Sequence, residues 1–106
     1  MKERQVAFAP EARDDLFAIY DWITERAGPE VALGYVARLE AFCLNLSIGS
    51  ERGSLRDDVR TGLRVIGFER RVNVAFVVEE TRVVVLRLFA GGRNWDSPDH
   101  WPGEEA

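Results

Sequence analysis

Two stretches in the first half of the chain carry apolar residues at helical spacing. The members are Leu16, Ile19, Tyr20, Ile23 and Ala27 in the first stretch and Ala32, Val36, Leu39, Cys43 and Leu46 in the second. Pro10 and Pro29 open the two stretches, and Gly28 stands between them, because Pro suits a first helical turn and Gly a helix end. The pattern predicts an antiparallel hairpin of two amphipathic helices, over residues 10–28 and 29–47.

The helical spacing of apolar residues is lost before and after this hairpin. Residues 6–8 read as a short strand, and residues 48–61 read as a loop with at most one turn of helix. After Gly62, residues 63–66, 72–78 and 82–89 are predicted strands, and the almost wholly apolar second of them is the central one. The chain is therefore predicted to be an α+β protein with the order β-α-α-β-β-β, its helix hairpin packed on a small antiparallel sheet.

Length and composition narrow the class of protein. The chain has 106 residues, 46% of them hydrophobic, which suits one folded domain over residues 1–95. Residues 96–106 are acidic and contain two Pro, so we expect a loose tail. The single Cys43 and single His100 exclude a disulfide and predict neither a metal site nor a cofactor. No apolar run is long enough for a membrane span, so the cytoplasm is the expected compartment.

The net charge of −4 conceals an uneven distribution. Residues 61–95 carry six Arg and three Glu, whereas the residues before and after them are acidic. The overall balance argues against a protein whose main task is to grip many phosphates. The local excess predicts either a solvated sheet face or a basic patch for an acidic partner.

Candidate chemistry is concentrated at the end of the last predicted strand. The candidates for contacting a target are Arg64, Arg87, Arg93, Asn94 and Trp95, since Arg can hold a phosphate and Trp can stack on a base. General acid–base catalysis needs a group that exchanges protons near neutral pH, which Arg does not, so we predict no catalytic residue. The alternatives are that Arg64 and Arg87 pair with Glu69 or Glu79 across strands and that Trp95 caps the edge of the core.

The aromatic residues of the helix hairpin are too numerous for one small core. They are Phe17, Tyr20, Trp22 and Tyr35. Some of them must then be exposed, and exposed aromatic side chains on a helix hairpin indicate a groove for a partner.

The order and spacing of several short patterns resemble the RelE/ParE toxin superfamily of type II toxin–antitoxin systems, and its ParE branch most. The matching segments span roughly residues 5–95. They are Ala12-x-x-Asp15-Leu16-x-x-Ile19-Tyr20, Gly28-Pro29-x-x-Ala32, Gly53 with Arg56-Asp57-Asp58, Gly62-Leu63-Arg64, Arg71-Val72-Asn73-Val74-Ala75-Phe76, and Val83 to Leu88 followed by Gly91-Gly92-Arg93-Asn94.

The resemblance implies the fold predicted above and a toxin that a cognate antitoxin neutralises. ParE-like members inhibit DNA gyrase and so block replication, whereas RelE-like members cut messenger RNA on the ribosome. The antitoxin is expected to be a ParD-like ribbon-helix-helix protein, which alone contacts operator DNA. We expect it on the helix aromatics, on Arg71 and Asn73, and along an open sheet edge.

Departures from the RelE-like pattern favour the gyrase branch. Asn73 replaces the Arg of the central strand, and no Tyr follows Arg93. Ala90 and Gly92 also replace residues that are frequently His and basic in the ParE-like branch. The prediction is therefore a non-enzymatic gyrase inhibitor. The alternatives are an mRNA endonuclease and a decayed module that binds its antitoxin without toxicity.

Overall fold

The computed structural model of the chain describes residues 3–91. Helix α1 (Pro10–Ala27) and helix α2 (Pro29–Leu44) form the predicted hairpin, and a 3-10 turn over Asn45–Ser47 follows α2. Pro stands in the first turn of both helices. Gly28 separates them with φ of 95°, and its N–H donates to the Thr24 carbonyl at 3.0 Å. A residue with a β-carbon is disfavoured at this φ, which explains why Gly occupies the junction.

The sheet has five strands in the order β1-β5-β4-β3-β2. Their bounds are β1 Gln5–Phe8, β2 Ser54–Leu55, β3 Leu63–Phe68, β4 Val72–Val78 and β5 Arg82–Ala90. The pairs β2–β3, β3–β4 and β4–β5 are antiparallel. Strand β4 lies in the middle of the sheet, as its apolar run predicts. The predicted α+β fold, with a helix hairpin on a small sheet, is confirmed.

Two details of the sheet differ from the prediction. Strand β1 is parallel to β5, with Val6 opposite Val83, so the sheet is mixed. Apolar alternation shows which side chains face a core but not which strand lies alongside, so the sequence carries no signal for this direction. The predicted loop 48–61 contains the two-residue β2, and its residues 57–59 form a turn, not a helix, with Arg60 N–H donating to the Arg56 carbonyl at 3.2 Å.

Apolar residues are buried on both faces of the sheet. The main core lies between helices and sheet, with Phe76, Leu39, Val74 and Val85 each 0% exposed. A smaller cluster of Leu63, Val65, Ala75 and Phe89 is buried on the opposite face. Leu63 and Val65 occupy alternate positions of β3, as the two-residue period of a strand requires, and Ala75 and Phe89 join them from β4 and β5.

Candidate functional site

Arg87 of β5 is bound to a buried carboxylate on α1. Its Nε lies 2.7 Å from Oδ2 of Asp15, and its Nη2 lies 3.0 Å from Oδ1. The Arg87 side chain is 19% exposed and that of Asp15 is 9% exposed. The backbone N–H of Leu88 donates to the same Oδ2 at 2.9 Å. The hydrogen bonding of Arg87 to the Asp15 carboxylate is the main cause that raises the pKa of Arg87 above its ordinary value.

Asp15 takes the place of a neighbouring strand at the edge of β5. Strand β1 pairs with β5 only as far as Val85, whose carbonyl accepts from Ala9 N–H at 2.9 Å as the chain turns into α1. Beyond Val85, the Asp15 carboxylate supplies the acceptor that the N–H of Leu88 needs. An unpaired buried backbone N–H costs about 1–3 kcal/mol, so this contact stabilises the last part of β5. The alternative pairing of Arg87 with Glu69 or Glu79 was wrong.

Arg64 occupies a different part of the molecule from Arg87. It lies on β3, which β4 separates from β5, and its Nη1 is 3.4 Å from the Arg52 carbonyl. Its side chain is half-buried and lines a shallow depression that also contains Glu51, Glu79 and Glu80. Arg64 and Arg87 are therefore held by separate elements. The other predicted members of the cluster, Arg93, Asn94 and Trp95, lie outside the described residues.

The helix hairpin exposes apolar side chains, as predicted. Phe17 is 70% exposed and Trp22 is 51% exposed, while Tyr20 is half-buried. The guanidinium of Arg26 lies 4.2 Å from the centroid of the Trp22 ring, within the range of a cation–π contact. On α2, Leu33 is 63% and Leu44 is 49% exposed. Exposed apolar groups on neighbouring helices are typical of a surface that a partner covers.

Tyr35 lies in the core and leaves no ring surface for a partner. It is 7% exposed and packs edge-on against Phe68, with 5.6 Å between ring centroids. Its hydroxyl is buried without a hydrogen-bond partner among the described residues. Burial is the main cause that raises the pKa of Tyr35, and the charge of Glu69 adds to it.

The turn between β3 and β4 joins α2 through an exposed ion pair. Arg38 of α2 forms two hydrogen bonds with the Glu69 carboxylate, at 2.9 and 3.1 Å. Glu69 and Arg70 have φ of 50° and 59°, and Arg71 N–H donates to the Phe68 carbonyl at 3.0 Å. Arg71 is exposed at the end of this turn. Asn73 is half-buried on β4, where it pairs with Gly67 of β3.

An open groove runs beside β1, the edge strand of the sheet. Its volume is about 810 Å³, and its lining includes Arg4, Val6 and Leu44. At one end of the groove the backbone is already hydrogen-bonded, since Arg4 N–H donates to the Ser47 carbonyl at 2.7 Å. The groove therefore combines a strand edge with one of the exposed apolar side chains of α2.

The described residues offer little reactive chemistry. Cys43 is 0% exposed, and burial raises its pKa to about 12, so its thiol stays protonated at neutral pH. Within residues 3–91, no three His, Cys, Asp or Glu side chains are grouped to hold a metal ion. No helix in that range is long and apolar enough to cross a membrane.

Comparison with known proteins assigns the fold. Residues 6–95 match the model of the ParE toxin of the type II toxin–antitoxin system parDE. A solved chain from the chromosomal ParDE toxin–antitoxin system of P. aeruginosa superposes with a TM-score of 0.73 and 26% sequence identity. The superposition covers 83% of this chain and 96% of that chain. A comparison with curated sequences finds no significant match.

The fold and this match define a protein of the RelE/ParE toxin superfamily. Within it, the chain belongs to the ParE toxin family of type II toxin–antitoxin systems.

Sequence reasoning missed the role of Asp15 in fixing Arg87. The signal was present, because Asp15 follows Ala12 by three residues and precedes Ile19 by four, which places it on the buried stripe of α1. An acid on an apolar helix stripe predicts a buried partner, since an unpaired charge there is costly.

Proposed function

We propose that this protein is a toxin that inhibits DNA gyrase without being an enzyme, and that it acts in the cytoplasm to block replication. The observation that carries the proposal is the match to the ParE toxin family over residues 6–95. Gyrase inhibition is the activity that the ParE resemblance implies.

The chemistry of the described residues supports a role without catalysis. A general acid or base works best when its pKa lies near the working pH. Burial moves the pKa values of Cys43 and Tyr35 upward, away from neutrality. Arg87 is a candidate for contacting phosphate, but its Nε and Nη2 both donate hydrogen bonds to the Asp15 carboxylate. A catalytic role for Arg87 would require that buried pair to break.

We further propose that a ParD-like antitoxin neutralises the toxin by covering the helix hairpin and the edge groove. Phe17 and Trp22 offer exposed aromatic area, which is the kind of surface that contributes most to protein interfaces. The groove beside β1 offers a strand edge for an added strand. A ribbon-helix-helix half of the antitoxin would make the operator contacts, consistent with the net charge of −4 on the toxin.

Supercoiling by purified gyrase, with and without the protein, tests the target. We expect loss of supercoiling and accumulation of cleaved DNA. Unaltered supercoiling with no cleaved DNA would refute gyrase as the target. Mapping of transcript ends after induction tests the mRNA endonuclease alternative, which requires cuts that vanish in Arg93→Ala.

Growth after induction of the chain alone tests the decayed module, since arrest would exclude it. The double substitution Phe17→Ala with Trp22→Ala tests the antitoxin surface. We expect arrest to persist in this variant while rescue by the antitoxin weakens. Arg13→Ala with Glu25→Ala changes two exposed residues of the same helix and provides the matched control. Equal rescue of both variants would refute the proposed surface.

A further inference from the structure

We propose that the β3–β4 turn and the adjoining flank of α2 form a docking surface for a short acidic peptide segment that also carries an apolar residue, and that Arg38 exchanges Glu69 for this segment on binding. The surface consists of Val31 and Arg38 on α2 and Arg70 and Arg71 on the turn, and we call it the turn surface. The inference deepens the proposed antitoxin contact, on which it rests because Arg71 is among the residues expected to meet the antitoxin, and it does not depend on the target of the toxin.

The turn surface carries more positive charge than its own acid neutralises. The guanidinium groups of Arg38, Arg70 and Arg71 stand on exposed residues, and Glu69 is the carboxylate that pairs with Arg38. Arg38 binds the turn residue Glu69 through two hydrogen bonds, so its guanidinium stands beside the turn that carries Arg70 and Arg71. Arg forks bind carboxylates through two parallel hydrogen bonds, so a partner with two or three acids fits this surface.

The backbone of the turn is strained at two of the residues that carry these charges. Glu69 and Arg70 both adopt left-handed conformations, with φ of 50° and 59°. Turns with two consecutive left-handed residues favour Asn and Gly, because other residues cost about 1 kcal/mol each in that conformation. An Asn-Gly turn would remove the strain together with the Glu69 carboxylate and the Arg70 guanidinium. Strain of this kind tends to mark a functional position.

Tyr35 provides the means for Arg38 to change partner. Its hydroxyl is buried without a hydrogen-bond partner within residues 3–91, and the Arg38 guanidinium lies 5.3 Å from the centre of its ring. Arg38 thus contacts both the Tyr35 ring and the Glu69 carboxylate. When Arg38 turns outward to a peptide carboxylate, the Tyr35 hydroxyl becomes the donor for Glu69. In this exchange Glu69 loses the two hydrogen bonds that it accepts from Arg38 and gains one from Tyr35, while Arg38 keeps a carboxylate partner in the peptide and a buried donor is satisfied.

Val31 indicates a peptide rather than a nucleic acid. It is 55% exposed and precedes Tyr35 by four and Arg38 by seven residues, so it lies on the same flank of α2. Two helical turns separate Val31 from Arg38 by about 10 Å along the axis. A peptide with an aliphatic side chain about 10 Å from a pair of carboxylates can therefore contact Val31 and the Arg side chains of the turn surface together. Nucleic acids offer few aliphatic groups and bind through many more phosphate contacts than three Arg supply.

Fluorescence anisotropy with a labelled 12-residue peptide of Glu, Asp and a single Leu tests the proposal on the full chain. We expect Arg70→Glu with Arg71→Glu to weaken binding by at least about tenfold, as the loss of charge-assisted hydrogen bonds requires. Arg13→Glu with Arg26→Glu makes the same change of net charge on α1 and serves as the control. Equal weakening by the two double variants would overturn the proposal.

Tyr35→Phe tests the exchange, because it alters neither the charge of the surface nor any exposed group. We expect at least about tenfold weaker peptide binding, the size of one hydrogen bond to a charged acceptor. An unchanged affinity, in a variant shown to be folded by its thermal midpoint, would overturn the exchange. Val31→Ser should remove the preference for the Leu peptide over an acid-only peptide. Equal binding of a 12-residue oligo-dT, or self-association that occupies the turn surface, would overturn the choice of a peptide.

Discussion

Two ion pairs join the helices to the sheet with the same geometry and opposite surroundings. Asp15 and Arg87 link α1 to β5, and Glu69 and Arg38 link α2 to the β3–β4 turn, each through two hydrogen bonds. The first pair is 9% and 19% exposed, whereas the second is 38% and 57% exposed. The buried carboxylate also accepts a backbone N–H, from Leu88.

The comparison shows that surroundings rather than geometry decide what an ion pair does. Water can replace either partner of the exposed pair, so breaking that pair costs little. Water cannot readily reach Asp15, so removal of one partner leaves a charge and a backbone donor unsatisfied. We therefore interpret the buried pair as part of the fold and the exposed pair as available for exchange.

Asp15→Ala should have the largest effect on stability. We expect a loss of about 3–5 kcal/mol in the free energy of unfolding, the usual cost of leaving one member of a buried pair alone. Urea denaturation followed by circular dichroism measures this loss. Asp14→Ala, an exposed acid on the same helix, is the control and should change stability by less than about 0.5 kcal/mol. A similar midpoint for the two variants would contradict the structural role of Asp15.

Replacing both partners should restore most of that loss. In Asp15→Leu with Arg87→Met, no charge is left buried alone, and apolar replacements of buried pairs are often close to neutral. We expect stability within about 2 kcal/mol of the parent, reduced mainly by the unpaired N–H of Leu88. The same urea series gives the value. A double variant as unstable as Asp15→Ala would show that the carboxylate contact to Leu88 outweighs the ion pair.

Arg70→Gly should stabilise the protein by about 1 kcal/mol, because Gly adopts the left-handed conformation of this turn without the cost that Arg incurs. The increase should be visible as a higher midpoint in thermal unfolding. Arg71→Gly is the matched control, since Arg71 is not among the residues with positive φ. Stabilisation by both substitutions alike would argue that charge, not strain, limits the stability of the turn.

Glu69→Gln should have the smallest effect and a defined pH dependence. Arg38 holds the pKa of Glu69 below its ordinary value of 4.5, chiefly through their hydrogen bonds. A carboxylate with a lowered pKa stabilises the fold above its unfolded value, and the contribution is lost as pH falls through the lower folded value. Parent and variant should therefore differ slightly at neutral pH and converge below the folded pKa. A difference that grows on acidification would contradict the assignment.

The elements of this fold are more readable from its sequence than their arrangement. Pro10, Gly28 and Pro29 determine where the helices begin and end through local backbone chemistry, so the hairpin is predicted almost to the residue. The strand β4 is predicted by its own apolar run. The direction of β1 and the pairing of Ser54 and Leu55 depend on distant partners, which a local pattern does not encode.

The candidate site was predictable in part for the same reason. Counting aromatic residues against the size of the core predicts that some hairpin aromatics are exposed but not which, and the structure exposes Phe17 and Trp22. The burial of Tyr35 follows from its position on the inner stripe of α2 beside Leu39. The bond between Asp15 and Arg87 spans 72 residues and needs the assembled sheet. The left-handed backbone at Glu69 and Arg70 was not predictable from the sequence, because neither Glu nor Arg favours that conformation.

The parallel pairing of the first strand with the last also determines when the protein can complete its fold during synthesis. Gln5 has its partner at Arg82, and Asp15 has its partners at Arg87 and Leu88. During synthesis the start of the chain must wait for these residues to emerge, because contacts of long sequence separation form late. A nascent or prematurely ended chain that lacks β5 leaves β1 and Asp15 without these partners. Such a fragment is expected to stay unfolded and harmless, so only the finished chain carries the surfaces described above.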